Sequence, residues 1–120
     1  MIKQVKFVSI PVTDQQRALD FYTKRLGFTV HTDQPFGENM RWIELKVGRT
    51  DTKVVLFTAD EHKEWIGKPM NLSFSCDDVE KTVAELRERG VEFVGEPQKF
   101  HWGWHAQFKD PDGNTFALSD

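Results

Sequence analysis

Along residues 4–12 apolar and polar positions alternate and β-branched types are frequent, which predicts a strand with Val8, Ile10 and Val12 on one face and Phe7 and Ser9 on the other. The period then lengthens. Thr13-Asp14 offers an N-cap, and Ala18, Leu19, Tyr22 and Leu26 fall at helical spacing, so a helix is expected to about Arg25 and to end at Gly27. A strand over 28–32 and a loop over 33–39 follow, then strands over 41–47 and 53–59 around the Gly48-Arg49-Thr50-Asp51 turn. Residues 60–68 form a polar connector anchored by Trp65. Alternation resumes over 71–76, with Leu72, Phe74 and Cys76 opposite Asn71, Ser73 and Ser75. A second capped helix, over 78–89, buries Val79, Val83 and Leu86 and stops at Gly90, before a short strand over 91–94. The last element is a hairpin around Asp110-Pro111-Asp112-Gly113-Asn114, a turn built by proline, glycine and amide-binding acidic side chains. Centred on Asp112, it sets Phe108 opposite Phe116 and Ala106 opposite Leu118. His105, Gln107, Thr115, Ala117 and Ser119 are left on the other face.

The order is strand, helix, three strands, and then the same again. A shift of 63 or 64 residues lays Asp14 on Asp78, Tyr22 on Leu86, Val30 on Val94, Phe7 on Asn71, Trp42 on His105 and Glu44 on Gln107. Shared element order and polarity mark an internal repeat. The expected fold is therefore α+β, a duplicated βαβββ unit in one domain over 1–120, with module one at about 1–60, a connector at about 60–69 and module two at about 70–120. Ten phenylalanines and 38% hydrophobic residues in 120 fill one core. The net charge of −3 is spread along the chain without a basic block, which speaks against nucleic acid as a partner. No long apolar run and no signal-peptide pattern is present, so no membrane association is expected and the location is read as cytoplasmic. A lone Cys76 fits a reducing compartment, as a small apolar side chain of a strand.

Ile10-Pro11-Val12-Thr13-Asp14, Phe21-Tyr22, Leu26-Gly27-Phe28, Arg41-Trp42 and Asp110-Pro111-Asp112-Gly113-Asn114 together resemble motifs of the vicinal oxygen chelate superfamily. That group contains glyoxalase I, bleomycin-resistance proteins, fosfomycin-resistance enzymes and extradiol dioxygenases. The resemblance covers almost the whole chain. It implies two modules whose sheets curve into a bowl with helices outside and ligand within, and commonly a homodimer.

Metal-dependent members of the superfamily carry one ligand, mostly histidine or glutamate, on each of four strands. By motif spacing these places correspond here to Phe7, Leu56, Asn71 and Ala117. Three lack any donor, and an amide oxygen alone binds a transition metal weakly. The resemblance thus implies a member without the usual metal and with no cofactor. Alternation assigns the inner wall Phe7, Ser9, Trp42, Glu44, Leu56, Thr58, Asn71, Ser73, His105, Gln107 and Ala117, while Val55 and Phe57 are expected beneath the helices. Trp104 joins the ligand-binding candidates because the tryptophans and Phe36 and Phe100 exceed what a small core needs. Two main readings follow, beside a weaker one of a regulatory subunit whose bowl is filled by its own side chains or by a partner. One is a binding protein that holds a planar or aromatic small molecule. The other is a lyase, isomerase or dioxygenase that uses a displaced metal or a Glu44/His105 acid-base pair. His31 and His62 are expected at the surface.

Overall fold

Asp14 and Asp78 open α-helices in the same way. Each is extended (φ −139°, ψ 106° and φ −146°, ψ 107°), and its carboxylate accepts from the amide three residues on, Arg17 at 3.0 Å and Lys81 at 3.1 Å. One otherwise orphaned helix-end donor is satisfied in each case. The computed structural model describes residues 1–58 and 60–120, so Ala59, expected to end a strand, lies outside the described residues. Two compact units result, Met1–Ile66 and Gly67–Asp120.

The first unit contains β1 (Phe7–Pro11), α1 (Gln15–Asp20) running into a π-helical turn (Phe21–Arg25), β2 (Thr29–Pro35), β3 (Arg41–Lys46), β4 (Lys53–Phe57) and a 3-10 segment (Asp60–Trp65). Its sheet runs β1-β4-β3-β2, with β1 parallel to β4 and the other pairs antiparallel. Registers Ile10↔Leu56↔Ile43 and Val54↔Leu45 put these residues on one face, and all are buried, as are Ala18, Phe21 and Tyr22 of the helix. The π turn alters the buried stripe. The Leu26 amide reaches back five residues to the Phe21 carbonyl at 3.2 Å, so one extra residue fits into the turn. Phe21 and Tyr22 both turn inward and meet edge to face at 5.1 Å, while Leu26 is only half-buried.

Gln15 ties α1 to the sheet. Its Nε2 donates to the carbonyls of Arg41 at 2.7 Å and Leu56 at 2.9 Å, and its Oε1 accepts from the Arg41 amide at 3.0 Å. Arg41 in turn forks onto Asp33 of β2, at 3.0 and 2.6 Å, and donates to Gln16 at 2.8 Å. This pairing extends β2 to Pro35, into the segment expected as loop, where Pro35 stands opposite Arg41 and Gln34 opposite Trp42. A break in register between Val30 and Thr32 leaves His31 as a bulge.

The second unit contains β5 (Pro69–Ser75), α2 (Val79–Glu88), β6 (Glu92–Phe93), β7 (Gln98–Phe100), β8 (Gly103–Lys109) and β9 (Thr115–Ser119). Its sheet runs β5-β9-β8-β6, with β5 parallel to β9 and β7 also paired to β8. The strand expected over 91–94 is the two-residue β6, and beyond Gly95-Glu96-Pro97 a further strand, β7, pairs with the start of β8 where none was expected. The β8–β9 hairpin has the expected register, Ala106↔Leu118 and Phe108↔Phe116, with both pairs buried.

At its turn, the buried Asp110 accepts from the amides of Asp112 and Asn114 and from the Asn114 side chain, each at 2.9 Å. Asn114, 0% exposed, accepts from the Gly67 amide at 2.8 Å, which fastens the turn to the approach to β5. The two units share the βαβββ plan, and the architecture is the expected α+β duplication. Among the described residues no helix is long and apolar enough to cross a membrane.

Candidate functional site

In the first unit, Ser9↔Val55↔Glu44 is a row across β1, β4 and β3 on the face away from α1. In the second, Ser73↔Ala117↔Gln107 is the matching row across β5, β9 and β8, with Ser75↔Ser119↔His105 beside it. The repeat therefore places serine, a small apolar residue, and Glu or Gln in the same order twice. Glu44 is in step with Gln107, and Trp42 with His105.

This row corrects β4. Leu56 was expected on the wall, yet it is 0% exposed and shares the face of Ile10 and Ile43. Val55 occupies the wall position in its place, and Thr58 follows the last residue of the strand. Val54-Val55-Leu56-Phe57 is a continuous apolar run, and such a run carries no period from which a face can be read. Trp104 is a second correction: it has the parity of Ala106 and Phe108, opposite to His105 and Gln107. Asn71 is left-handed (φ 52°) in the stretch where the β5–β9 register shifts, and is exposed.

The first unit builds its wall around Trp42. Phe7 meets the indole edge to face at 5.7 Å, and Phe36, from the start of the β2–β3 loop, lies tilted at 5.6 Å. Trp42 Nε1 donates to Glu44 Oε2 at 2.6 Å. On the other carboxylate oxygen, the bulge brings His31 Nδ1 to 3.6 Å of Glu44 Oε1. His31 also lies 3.0 Å from the Thr32 hydroxyl. Glu44 is thus flanked by Trp42 and His31 of its own unit. His31 was expected to be mere surface; what brings it here is a single extra residue in β2, for which the sequence carried no glycine or proline signal.

A second ring cluster in this unit stacks His62 on Trp65 at 4.2 Å, with Phe57 edge-on to His62 at 6.0 Å. In the second unit His105 meets Phe100 at 6.2 Å and Trp102 at 6.1 Å, and those two rings stack in parallel at 5.3 Å while staying exposed.

The positions that hold metal in chelating relatives do not fit one here. Phe7 and Ala117 have no donor, Asn71 offers an amide, and the fourth position has no donor whether Leu56 or the face-sharing Val55 is taken. Among the described residues no three His, Cys, Asp or Glu side chains converge. Cys76 is not a poised nucleophile either, because burial pushes its thiol pKa up, with a bond to Thr82 opposing. The Arg41 fork holds Asp33 below the usual carboxylate range, chiefly through its hydrogen bonds.

The chain matches relatives along nearly their whole length. YetH of Bacillus subtilis (strain 168), an uncharacterised protein, is 37% identical over 120 residues, with both chains covered completely. The crystal structure of TnmS3, an antibiotic binding protein from Streptomyces sp. CB03234, superposes with a TM-score of 0.84 at 38% identity, covering 98% of this chain and 95% of its own. A superfamily member from Sphaerobacter thermophilus DSM 20745 gives a TM-score of 0.89 at 33% identity over 98% and 97% of the two chains. The family model matches residues 4–118, and the chain belongs to the Glyoxalase/Bleomycin resistance protein/Dioxygenase superfamily.

Proposed function

We propose that this chain is a metal-free small-molecule-binding protein whose ligand is planar or aromatic and stacks against the sheet face carrying Trp42. The observation that carries the reading is the Phe7–Trp42–Phe36 cluster, set beside the half-buried Glu44 on a face whose chelate positions supply no donors. Aromatic faces with few fixed polar groups are how small-molecule sites bind flat ligands. TnmS3, an antibiotic binding protein 38% identical to this chain, supports the same class. Ser9 and Glu44, in one row across β1 and β3, would supply the ligand's polar contacts. A homodimer in the cytoplasm belongs to this reading, and sedimentation as a 14.0 kDa monomer at micromolar concentration would remove the dimer from it.

Tryptophan emission titrated with a panel of planar aromatic compounds tests the proposal. Saturable quenching that is lost in Trp42→Phe is the expected result, since Trp65, Trp102 and Trp104 report elsewhere. A flat response across the panel overturns it. Stoichiometric zinc, nickel, manganese or iron in protein purified without chelators would overturn its metal-free part.

The catalytic alternative is a lyase, isomerase or dioxygenase with Glu44 and His105 as acid and base. Turnover that is abolished by Glu44→Gln or His105→Ala, with the fold retained, would favour it over binding alone.

A further inference from the structure

Glu44 is a largely enclosed carboxyl group with no lysine or arginine paired to it among the described residues. Its side chain is only 16% exposed, yet its one close donor is the neutral indole of Trp42, at 2.6 Å on Oε2. His31 stands beyond hydrogen-bond distance, at 3.6 Å from Oε1, and is itself 46% exposed. Among the described residues no lysine or arginine forms an ion pair with this carboxylate. Lys46 and Lys53 share the face, but they pair with each other in register two residues further along, about 7 Å away along the strands. Lys53 Nζ is turned to the Asp51 carbonyl at 3.3 Å.

Burying most of a carboxylate without a cation is unfavourable unless something supplies the missing charge. The rings beside Glu44 favour the same supplier, because the faces of Trp and Phe attract cations. Resting on the binding function proposed above, we infer that the ligand is a planar aromatic cation, with its positive centre at Glu44 and its ring system against Trp42 and Phe36. Glu44 is then the residue that sets charge preference, and the aromatic cluster supplies affinity irrespective of charge.

Three tricyclic probes of nearly one shape separate these contributions: N-methylacridinium, a fixed cation; acridine at pH 8, neutral; and acridine-9-carboxylate, an anion. The dissociation constant of each is read from Trp42 quenching in the full chain. The cation is expected to bind at least about 10-fold more tightly than acridine, with the anion weakest, and added salt should shrink the gap because it screens charge. In Glu44→Gln the preference is expected to fall to within about 3-fold. Glutamine keeps an oxygen that can accept from the indole, so the wall is retained, and far-ultraviolet circular dichroism confirms the fold. Equal affinities for all three probes in the unsubstituted protein overturn the charge inference and leave the binding function standing. So does a cation preference that survives in Glu44→Gln. If no probe changes the emission of Trp42, the inference and the binding function fall together.

Discussion

Replacing Gln15 by alanine removes three hydrogen bonds at once, two donated to the carbonyls of Arg41 and Leu56 and one accepted from the Arg41 amide. The bond to Leu56 is buried and the two to Arg41 are partly so. Net worth is about 1 kcal/mol for an ordinary bond, and about 1–3 kcal/mol is lost where a buried partner is left without one. Neither carbonyl can turn to water without shifting the end of β4 or the start of β3, so the loss is expected at about 3 kcal/mol. Urea unfolding followed by circular dichroism measures it, as a lowered midpoint with an unchanged slope. Gln16→Ala is the control. It removes bonds of the same chemical kind to Arg41 and Asp20, but exposed ones, and should cost less than about 0.5 kcal/mol. Gln15→Glu should be at least as harmful as alanine at neutral pH, since it sets a carboxylate against two carbonyl oxygens. A Gln15→Ala protein within about 0.5 kcal/mol of Gln16→Ala would refute the clamp, and with it the account of how α1 is held to the sheet.

Asn114→Asp would place a second carboxylate where the amide now donates to Asp110 at 2.9 Å, so stability at pH 7 should drop by about 2–4 kcal/mol, with the deficit shrinking as acid protonates the pair. Thermal melts across pH would show a constant deficit if the reasoning is wrong. Asp33 has a folded-state pKa below its unfolded value, so its stabilising effect is full at neutral pH and is lost as pH falls below about 3.8; being partly exposed, it is worth no more than about 1 kcal/mol. Asp33→Asn should therefore differ from the parent at pH 7 and converge with it in acid, and a difference that persists below pH 2 would contradict this. At Gly103 (φ 137°) an added Cβ would come within 2.7 Å of the Asp120 carboxylate, which accepts from the Trp104 amide. Gly103→Ala should cost about 1–3 kcal/mol. Part of that should vanish in an Asp120→Ala background, whereas strict additivity in the double-mutant cycle would show that the contact is irrelevant.

Where the chain alternates, as in β1, β5 and the last hairpin, each residue's face was legible, because one apolar side must be buried and a slip would expose it. Asp14 and Asp78 likewise announced the helix starts, and the repeat announced the duplication. Legibility failed where the signal was uniform or the cause was non-local. Val54 through Phe57 is apolar throughout, so Leu56 and Val55 were exchanged. Trp104 carries a ring suited to a ligand wall, but its parity lies with Ala106. The bulge at His31 and the extension of β2 to Pro35, where Arg41 forks onto Asp33, are features of strand pairing that no local pattern announces. Alternation put Phe7, Trp42 and Glu44 on one face, as the strand registers have them, but the approach of His31 to Glu44 in the same unit left no trace in the pattern.

The bond from Gly67 to Asn114 spans 47 positions, and it imposes an order of events on the second unit. The β8–β9 hairpin closes over a short turn and can form within microseconds, whereas β5 must wait for β9 before it has a parallel neighbour or an anchor at Gly67. The strand synthesised first is therefore the one that locks last. Pulse-labelled hydrogen exchange during refolding should show amides of β8 and β9 protected ahead of Phe74 and Ser75, and the reverse order would break this timetable. A ribosome releasing this chain thus holds β5 idle until the closing turn emerges, and substitutions at Asn114 should slow refolding as well as weaken the folded unit.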